Sequence, residues 1–114
     1  MGSFNPRYSN AKKRVYKGNY YHSGAEVLEA MALDQLLKEK KIKSWDKQVK
    51  IELFGENGTR ICNYYMDFVV EHNDGKTEYI EVKGFVTAIW RIKWKLFKDK
   101  YGKDANKIIT LRKV

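Results

Sequence analysis

Residues 60–84 read RICNYYMDFVVEHNDGKTEYIEVKG, and this stretch decides the fold. Two runs rich in β-branched and aromatic residues flank an Asn-Asp-Gly turn at 73–75, which is a strong signal for a β-hairpin. The pattern predicts one strand over about 60–71 and a second over 77–83, which Gly84 ends.

This hairpin predicts a meeting of acidic and basic side chains. Asp67 precedes Glu81 by 14 positions, and Asp74 of the turn lies seven from each. Positions equidistant from the turn of an antiparallel hairpin lie near each other on adjacent strands. Because side chains alternate along a strand, Glu81 and Lys83 are expected to point to the same side.

Two neighbouring carboxylates repel each other unless a positive charge lies between them. A hard divalent cation, Mg²⁺ or Mn²⁺ in its place, would neutralise both, because Mg²⁺ takes oxygen ligands and is often held by one or two carboxylates plus a substrate phosphate. On a basic protein this arrangement indicates metal-dependent hydrolysis of phosphodiesters. The alternative for Glu81 and Lys83 is a structural salt bridge on a solvated strand edge.

Length, charge and cysteine content narrow the class of protein. The chain has 114 residues, enough for one domain, with 23 Lys and Arg against 14 Asp and Glu and a net charge of +9. This surplus favours a polyanionic partner such as nucleic acid, and a merely basic soluble protein is the alternative. The single cysteine, Cys62, excludes an internal disulfide and a cysteine-based zinc site, which fits a reducing cytosol. No apolar run approaches the roughly 18 residues of a membrane span.

The other segments show helical or strand periodicity. In chain order, we predict a helix over 23–41, strands over 48–54, 60–71 and 77–83, a helix over 87–101 and a strand over 108–111. The order is α-β-β-β-α-β within one α/β domain over 23–114. Residues 1–22 are polar and basic without apolar periodicity, and they predict either an N-terminal arm or a disordered tail.

The first predicted helix carries a glutamate on its apolar face. Ser23 and Glu26 have the spacing of a capping box. Glu26 also shares a helical face with Ala30 and Leu33, where a carboxylate is costly unless it caps, pairs or binds a metal. Both capping and metal binding stay open for Glu26, and Glu29 is the rival helical carboxylate.

The second predicted helix mixes apolar and basic residues. Four apolar residues have the spacing of an inward face: Ile89, Ile92, Leu96 and Phe97. Trp90 and Trp94, four residues apart, either belong to the core or stack on exposed bases. Together with the basic cluster of the arm, this helix supplies the candidates for DNA binding: Lys12, Lys13, Arg14, Arg91, Lys93, Lys95 and Lys98.

The order of a helical Glu, a strand Asp, a Glu-x-Lys element and a basic helix resembles the PD-(D/E)XK nuclease superfamily. Asp67 stands at the motif aspartate, with Met66 in place of proline, and residues 81–83 match the (D/E)-x-K element. Glu26 matches the helical glutamate. The resemblance implies a restriction-endonuclease-like core, with a mixed central sheet flanked by helices.

Residues 20–101 are similar in particular to small phage-encoded nucleases of this superfamily. The matching segments are Trp45-Asp46-Lys47-Gln48-Val49, Asp67-Phe68-Val69-Val70 and Ile80-Glu81-Val82-Lys83-Gly84 with Thr87. Gly24 departs from a family lysine. The resemblance implies that Asp67 and Glu81 bind the metal with Glu26 and the Val82 carbonyl as further ligands, and that Lys83 positions or activates water. The catalytic set would then be Glu26, Asp67, Glu81 and Lys83.

Size, charge and resemblance together predict a DNA endonuclease that selects branched DNA, of the Holliday-junction resolvase type. Such phage enzymes act as homodimers in the cytoplasm of a phage-infected or lysogenic bacterium, and two-fold symmetry supplies two active sites for paired nicks. A less selective phage nickase is one alternative. A catalytically silent DNA-binding module on the same fold is another.

Overall fold

A computed structural model describes residues 14–114 of the chain. Lys12 and Lys13, two of the predicted DNA-binding residues, therefore lie outside the described residues. The chain divides into two compact units, Met1–Lys40 and Lys41–Val114. Each unit is described by itself below.

The first unit contains a short hairpin of β1 (Val15–Tyr16) and β2 (Asn19–Tyr20). Its two turn residues, Lys17 and Gly18, have φ of 51° and 78°, as a two-residue hairpin of this twist requires. This hairpin lies within residues 1–22, for which the sequence predicts an arm or a disordered tail. The sequence does not predict the hairpin, because two-residue strands are too short to show an alternating pattern.

Helix α1 (Gly24–Lys38) follows the hairpin. The predicted cap is confirmed, since the Oγ of Ser23 accepts the backbone N–H of Glu26 at 3.2 Å. The helix ends three residues before the predicted end, because Lys40 adopts a left-handed conformation with φ of 58°. Its buried residues are Glu26, Val27, Ala30 and Leu33.

Asp34 of α1 fastens the hairpin to the helix. The Tyr16 hydroxyl donates to Asp34 Oδ2 at 2.6 Å, and the Lys17 ammonium lies 3.0 Å from the same oxygen. The hairpin is thus held to α1 by part-buried polar contacts as well as by its own ladder.

The second unit contains one mixed sheet and one helix. Its elements are β3 (Ile42–Phe54), β4 (Arg60–His72), β5 (Thr77–Lys83), α2 (Ala88–Tyr101) and β6 (Lys107–Lys113). The sheet order is β3-β4-β5-β6, with antiparallel pairs except for the parallel pair of β5 and β6. The predicted α/β class, the mixed sheet and the element order α-β-β-β-α-β are confirmed. Neither helix within residues 14–114 is long and apolar enough to cross a membrane.

Strand β3 begins at Ile42, six residues before the predicted start at Gln48. Its pairing with β4 shifts between Ile42 and Ser44, and Gln48 has a positive φ of 50°. Both irregularities break the alternation of side chains, so the first half of β3 does not show a period of two in the sequence.

Helix α2 packs on the sheet through aromatic residues rather than through its isoleucines. The core cluster between α2 and the sheet contains Ile51, Leu53, Tyr64, Met66, Trp94 and Phe97. Phe97 is fully buried as predicted, but Ile89 and Ile92 are 69% and 60% exposed and Leu96 is 37% exposed. The inward face was therefore predicted wrongly for three of four positions. The core interpretation of Trp94 is confirmed, because it is only 6% exposed.

Candidate metal and phosphodiester site

Strands β4 and β5 separate at Asp67 and Glu81. Phe68 and Ile80 form the last pair of this ladder, and Asp67 and Glu81 occupy the next position. At this position the carboxylates, rather than backbone carbonyls, accept the hydrogen bonds between the two strands. Val82 N–H donates to Asp67 Oδ2 at 2.9 Å, and Asp67 N–H donates to Glu81 Oε1 at 3.4 Å. The predicted proximity of the two carboxylates is thus present in the structure, with each accepting from the backbone of the opposite strand.

Gln48 binds the other side of Asp67. It lies opposite Asp67 on β3, and the pairs formed on either side are Lys47–Phe68 and Val49–Met66. The left-handed backbone of Gln48 interrupts the ladder at this position. Its Nε2 donates to Asp67 Oδ1 at 3.0 Å. Both oxygens of Asp67 are therefore oriented by donors from the two neighbouring strands.

Trp90 and Tyr64 complete the surroundings of Glu81. The Trp90 indole N–H donates to Glu81 Oε2 at 3.0 Å and to the Tyr64 hydroxyl oxygen at 2.9 Å. Helix α2 supplies Trp90 from its first turn, where Thr87 accepts the Trp90 backbone N–H at 3.1 Å. The start of α2 is fixed by this cap, so the indole is aimed at the strand pair.

Burial determines the electrostatics of the site. Asp67 and Glu81 are 7% and 4% exposed. Burial, and then the charge of Asp67, raises the pKa of Glu81 from 4.5 to about 7, against the lowering effect of its hydrogen bonds. Burial, and then the charge of Glu81, also raises the pKa of Tyr64 above its ordinary value, which keeps the phenol protonated. In the absence of a bound cation, burial and mutual repulsion therefore favour a protonated Glu81 beside Asp67.

Lys83 lies two residues beyond Glu81 on β5 and is partly exposed. Its ammonium is 5.0 Å from the ring centroid of Trp90, a cation–π contact. Within residues 41–114, Lys83 forms no salt bridge with Glu81, so the alternative of a structural ion pair is not present. The indole that binds Glu81 therefore also contacts the Lys83 ammonium.

Glu26 belongs to the first unit, where it is buried. The Ser23 hydroxyl donates to Glu26 Oε2 at 3.1 Å and accepts the Glu26 backbone N–H, so the N-cap residue binds both the backbone and the carboxylate of Glu26. Glu29 is half-buried on the same helix. A metal-binding role for Glu26 stays a prediction.

Comparison with known proteins identifies the family. The chain matches, over residues 6–113, the family described as "Protein of unknown function (DUF1064)". The chain belongs to the DUF1064 family. Searches of the curated proteins and of the solved structures gave no match. The chemistry of the DUF1064 protein is therefore argued from its own site.

The donor set of the DUF1064 chain fits a hard divalent cation. All the side-chain ligands on offer are carboxylate oxygens, the ligand type that Mg²⁺ prefers. Across residues 41–114, all of which are described, no third His, Cys, Asp or Glu joins the pair in a metal-binding group. Two carboxylates suffice for Mg²⁺ that is also bound by a substrate phosphate. Burying two adjacent carboxylates is costly, and a bound cation would lower that cost.

The predicted DNA-binding residues of the DUF1064 chain fall into separate places. Arg91, Lys95 and Lys98 are exposed on α2, and Lys93 is partly buried. Arg14 lies in the first unit, where its Nη1 donates to the Tyr20 hydroxyl at 3.3 Å.

Sequence reasoning assigned no chemistry to three residues that touch the carboxylates: Gln48, Tyr64 and Trp90. Gln48 stood within the quoted Trp-x-x-Gln-Val segment, which was the one available signal. For Trp90, the spacing to Trp94 indicated only a core or stacking role. Tyr64 showed no distinguishing signal, because a strand tyrosine is common.

Proposed function

We propose that this DUF1064 protein is a divalent-metal-dependent DNA endonuclease of the PD-(D/E)XK type, with a restriction-endonuclease-like core. The observation that carries the proposal is the opposition of Asp67 and Glu81 where β4 and β5 separate, with Lys83 beside them on β5. A buried acidic pair contributes little to stability, but with an ammonium two residues away on the same strand it is suited to phosphodiester hydrolysis.

In this proposal Asp67 and Glu81 hold Mg²⁺ or Mn²⁺, and the Val82 carbonyl is a further ligand. Bound metal polarises the scissile phosphate and lowers the pKa of a coordinated water. Gln48 orients Asp67, and Trp90 orients Glu81, through the hydrogen bonds described above. Such partners of metal ligands typically contribute 10–100-fold to metal affinity or activity, as an order of magnitude.

Lys83 has a separate role in the proposal. A compact ammonium with rotatable donors positions the attacking water or offsets the charge that develops on the phosphate. Its place over Trp90 keeps it near the carboxylates without neutralising Glu81 directly. The cation is therefore available to the substrate.

The net charge of +9 supports DNA as the substrate. We extend the proposal to branched DNA and to a homodimer of the Holliday-junction resolvase type, on the resemblance of residues 20–101 to small phage-encoded nucleases. Two-fold symmetry would place one active site on each of two opposed strands.

The test is cleavage of a labelled four-way junction beside a linear duplex of matched sequence, with Mg²⁺ or with EDTA. We expect paired, symmetric nicks in the junction that require Mg²⁺. The Lys83→Ala variant should lose at least about 100-fold in rate, the scale of a transition-state electrostatic group. Lys76→Ala removes the same charge from the exposed turn before β5 and should cleave like the wild type.

The outcomes separate the parts of the proposal. Equal cutting of junction and duplex would keep the endonuclease and remove the selectivity for branches. Tight binding without cutting, with Lys83→Ala behaving as Lys76→Ala does, would make the chain a silent DNA-binding module.

A further inference from the structure

A groove runs between α2 and β6 in the second unit. It consists of two adjoining clefts of about 420 and 430 Å³ that share Trp94 and Leu111. The first cleft is lined by Lys83, Trp90, Arg91, Trp94, Leu111 and Lys113. The second is lined by Trp94, Lys98, Lys107, Ile109 and Leu111. We call the two together the α2–β6 groove.

The walls of the α2–β6 groove are cationic. Four lining cations are Lys83, Arg91, Lys98 and Lys113, and no residue that lines either cleft is acidic. A fifth, Lys107, is neutralised by Asp104 at 3.2 Å. Lining charge of one sign with low-dielectric walls concentrates a polyanion.

The floor of the α2–β6 groove is apolar and aromatic. Trp90 and Trp94 stack with ring centroids 5.5 Å apart and planes 16° from parallel. Lys98 lies 5.8 Å from the ring centroid of Trp94, so a cation borders the indole pair. Leu111 extends the apolar surface onto β6. Trp94 is only 6% exposed, so the partly exposed Trp90 and Leu111 supply most of this apolar surface. Cations beside such a surface bind the phosphates of an unpaired strand while its bases contact the apolar side chains.

The apolar floor favours a single strand over a double helix. A duplex hides its bases and presents mainly phosphate and sugar, so an apolar floor adds little to its binding. An extended strand of unpaired nucleotides presents its phosphates to the lining cations and its bases to the floor.

The α2–β6 groove leads to the acidic pair. Lys83 lines the groove and lies two residues from Glu81 on β5. Trp90 lines the groove as well and donates its indole N–H to Glu81. A strand bound along the groove would therefore pass the Trp90 indole to reach the carboxylates of Asp67 and Glu81.

We infer that the α2–β6 groove binds a single-stranded segment of DNA and guides it to Asp67 and Glu81. The guidance rests on the proposed endonuclease function, whereas the binding does not require cleavage. The inference divides the basic residues of α2. Arg91 and Lys98 contact the strand, and Lys95, which lines neither cleft, does not.

The experiment measures binding by fluorescence anisotropy in EDTA, so that no cleavage occurs. The probe is a labelled oligo(dT) of about 15 nucleotides, the upper range of a small single-strand site. The groove variant is the double substitution Arg91→Ala with Lys98→Ala. The control is Lys95→Ala with Lys103→Ala, which removes the same two charges from exposed positions outside the groove.

We expect the groove variant to bind oligo(dT) more weakly than the control at every salt concentration. The slope of log K against log [salt] should fall by about 1.4 in the groove variant, since each phosphate contact with a single strand contributes about 0.7. Equal losses in both double variants would overturn the inference. So would a groove variant that weakens binding to a matched duplex but not to oligo(dT).

The same data distinguish this inference from the proposed function. Groove-dependent binding without Mg²⁺-dependent cleavage would support the groove and reject the endonuclease. Mg²⁺-dependent cleavage with equal oligo(dT) binding by both double variants would support the endonuclease and reject the role of the groove.

Discussion

Asp67 is the residue on which the site depends, because both of its oxygens are bound by donors from neighbouring strands. One donor, the Val82 N–H, is a backbone group that any sequence would provide once the strands separate. The other, Gln48, is a side chain on a left-handed residue. A non-glycine residue with positive φ costs free energy and is retained where the structure requires its side chain or its backbone.

Replacement of Gln48 tests whether it orients the metal ligand. Gln48→Asn keeps a residue that tolerates positive φ but shortens the side chain by one methylene, so the donor no longer reaches Asp67. We expect the Mg²⁺ concentration for half-maximal cleavage to rise about tenfold, the lower end of the effect of such partners. Gln35→Asn on exposed α1 is the matched control and should leave it unchanged. An unchanged Mg²⁺ requirement in Gln48→Asn would contradict the role.

The raised pKa of Glu81 predicts how the stability of the folded protein changes with pH. Its pKa in the folded protein, about 7, lies above the ordinary 4.5. The stabilisation by its proton is therefore fully present below pH 4.5 and is lost as pH rises through 7. In EDTA, Glu81→Gln should gain stability relative to the wild type by up to about 3 kcal/mol between pH 4.5 and pH 8, because glutamine does not ionise.

Urea unfolding of both proteins at pH 4.5 and at pH 8 gives that difference. Mg²⁺ added at pH 8 should stabilise the wild type and leave Glu81→Gln unchanged, since only the wild type retains the acidic pair. A difference in stability between the two proteins that does not vary with pH would contradict the buried, proton-binding state of Glu81.

At the scale of elements, the hairpin of β4 and β5 was predictable because its signals are local. The Asn-Asp-Gly turn and the alternation beside it set the register, and the register alone places Asp67 opposite Glu81. The start of β3 and the surroundings of the carboxylates were not predictable in this way. They depend on a strand irregularity at Gln48 and on a contact from α2, neither of which leaves a period in the sequence.

Helix α2 shows how tertiary packing overrides a sequence pattern. Both an isoleucine stripe and an aromatic stripe have helical spacing, and hydrophobicity alone does not choose between them. The aromatic stripe is buried, with Phe97 between Tyr64 and Tyr79 at centroid distances of 5.7 and 5.1 Å. Aromatic side chains bury more area each and add ring contacts, which favours this face.

The orientation of α2 is tested by a pair of alanine substitutions. Phe97→Ala should lower the free energy of unfolding by about 3–5 kcal/mol, as expected for a fully buried aromatic residue. Ile92→Ala removes a residue that is 60% exposed and should change it by no more than about 0.5 kcal/mol. A larger loss of stability in Ile92→Ala than in Phe97→Ala, measured by chemical denaturation, would contradict this orientation and support the inward face predicted from the sequence.

At the scale of the whole molecule, composition indicates a partner but not a binding mode. The net charge of +9 predicts a polyanion, yet the same helix carries basic residues that line the α2–β6 groove and others that do not. Arg91 and Lys95 differ only in the folded protein, where Arg91 lines the groove between α2 and β6 and Lys95 does not. Junction selectivity and the homodimer belong to the proposed endonuclease function, whereas binding of a strand in the α2–β6 groove does not require cleavage.

We propose that Asp67 and Glu81 form a metal-dependent phosphodiesterase site. The experiment that tests this is cleavage of a labelled four-way junction in Mg²⁺ by the wild type, by Asp67→Asn and by Glu71→Gln, which makes a comparable acid-to-amide change four residues further along β4. We expect cleavage by the wild type and by Glu71→Gln, and none by Asp67→Asn or by any of the three in EDTA. Undiminished cleavage by folded Asp67→Asn, or cleavage that persists in EDTA, would contradict it.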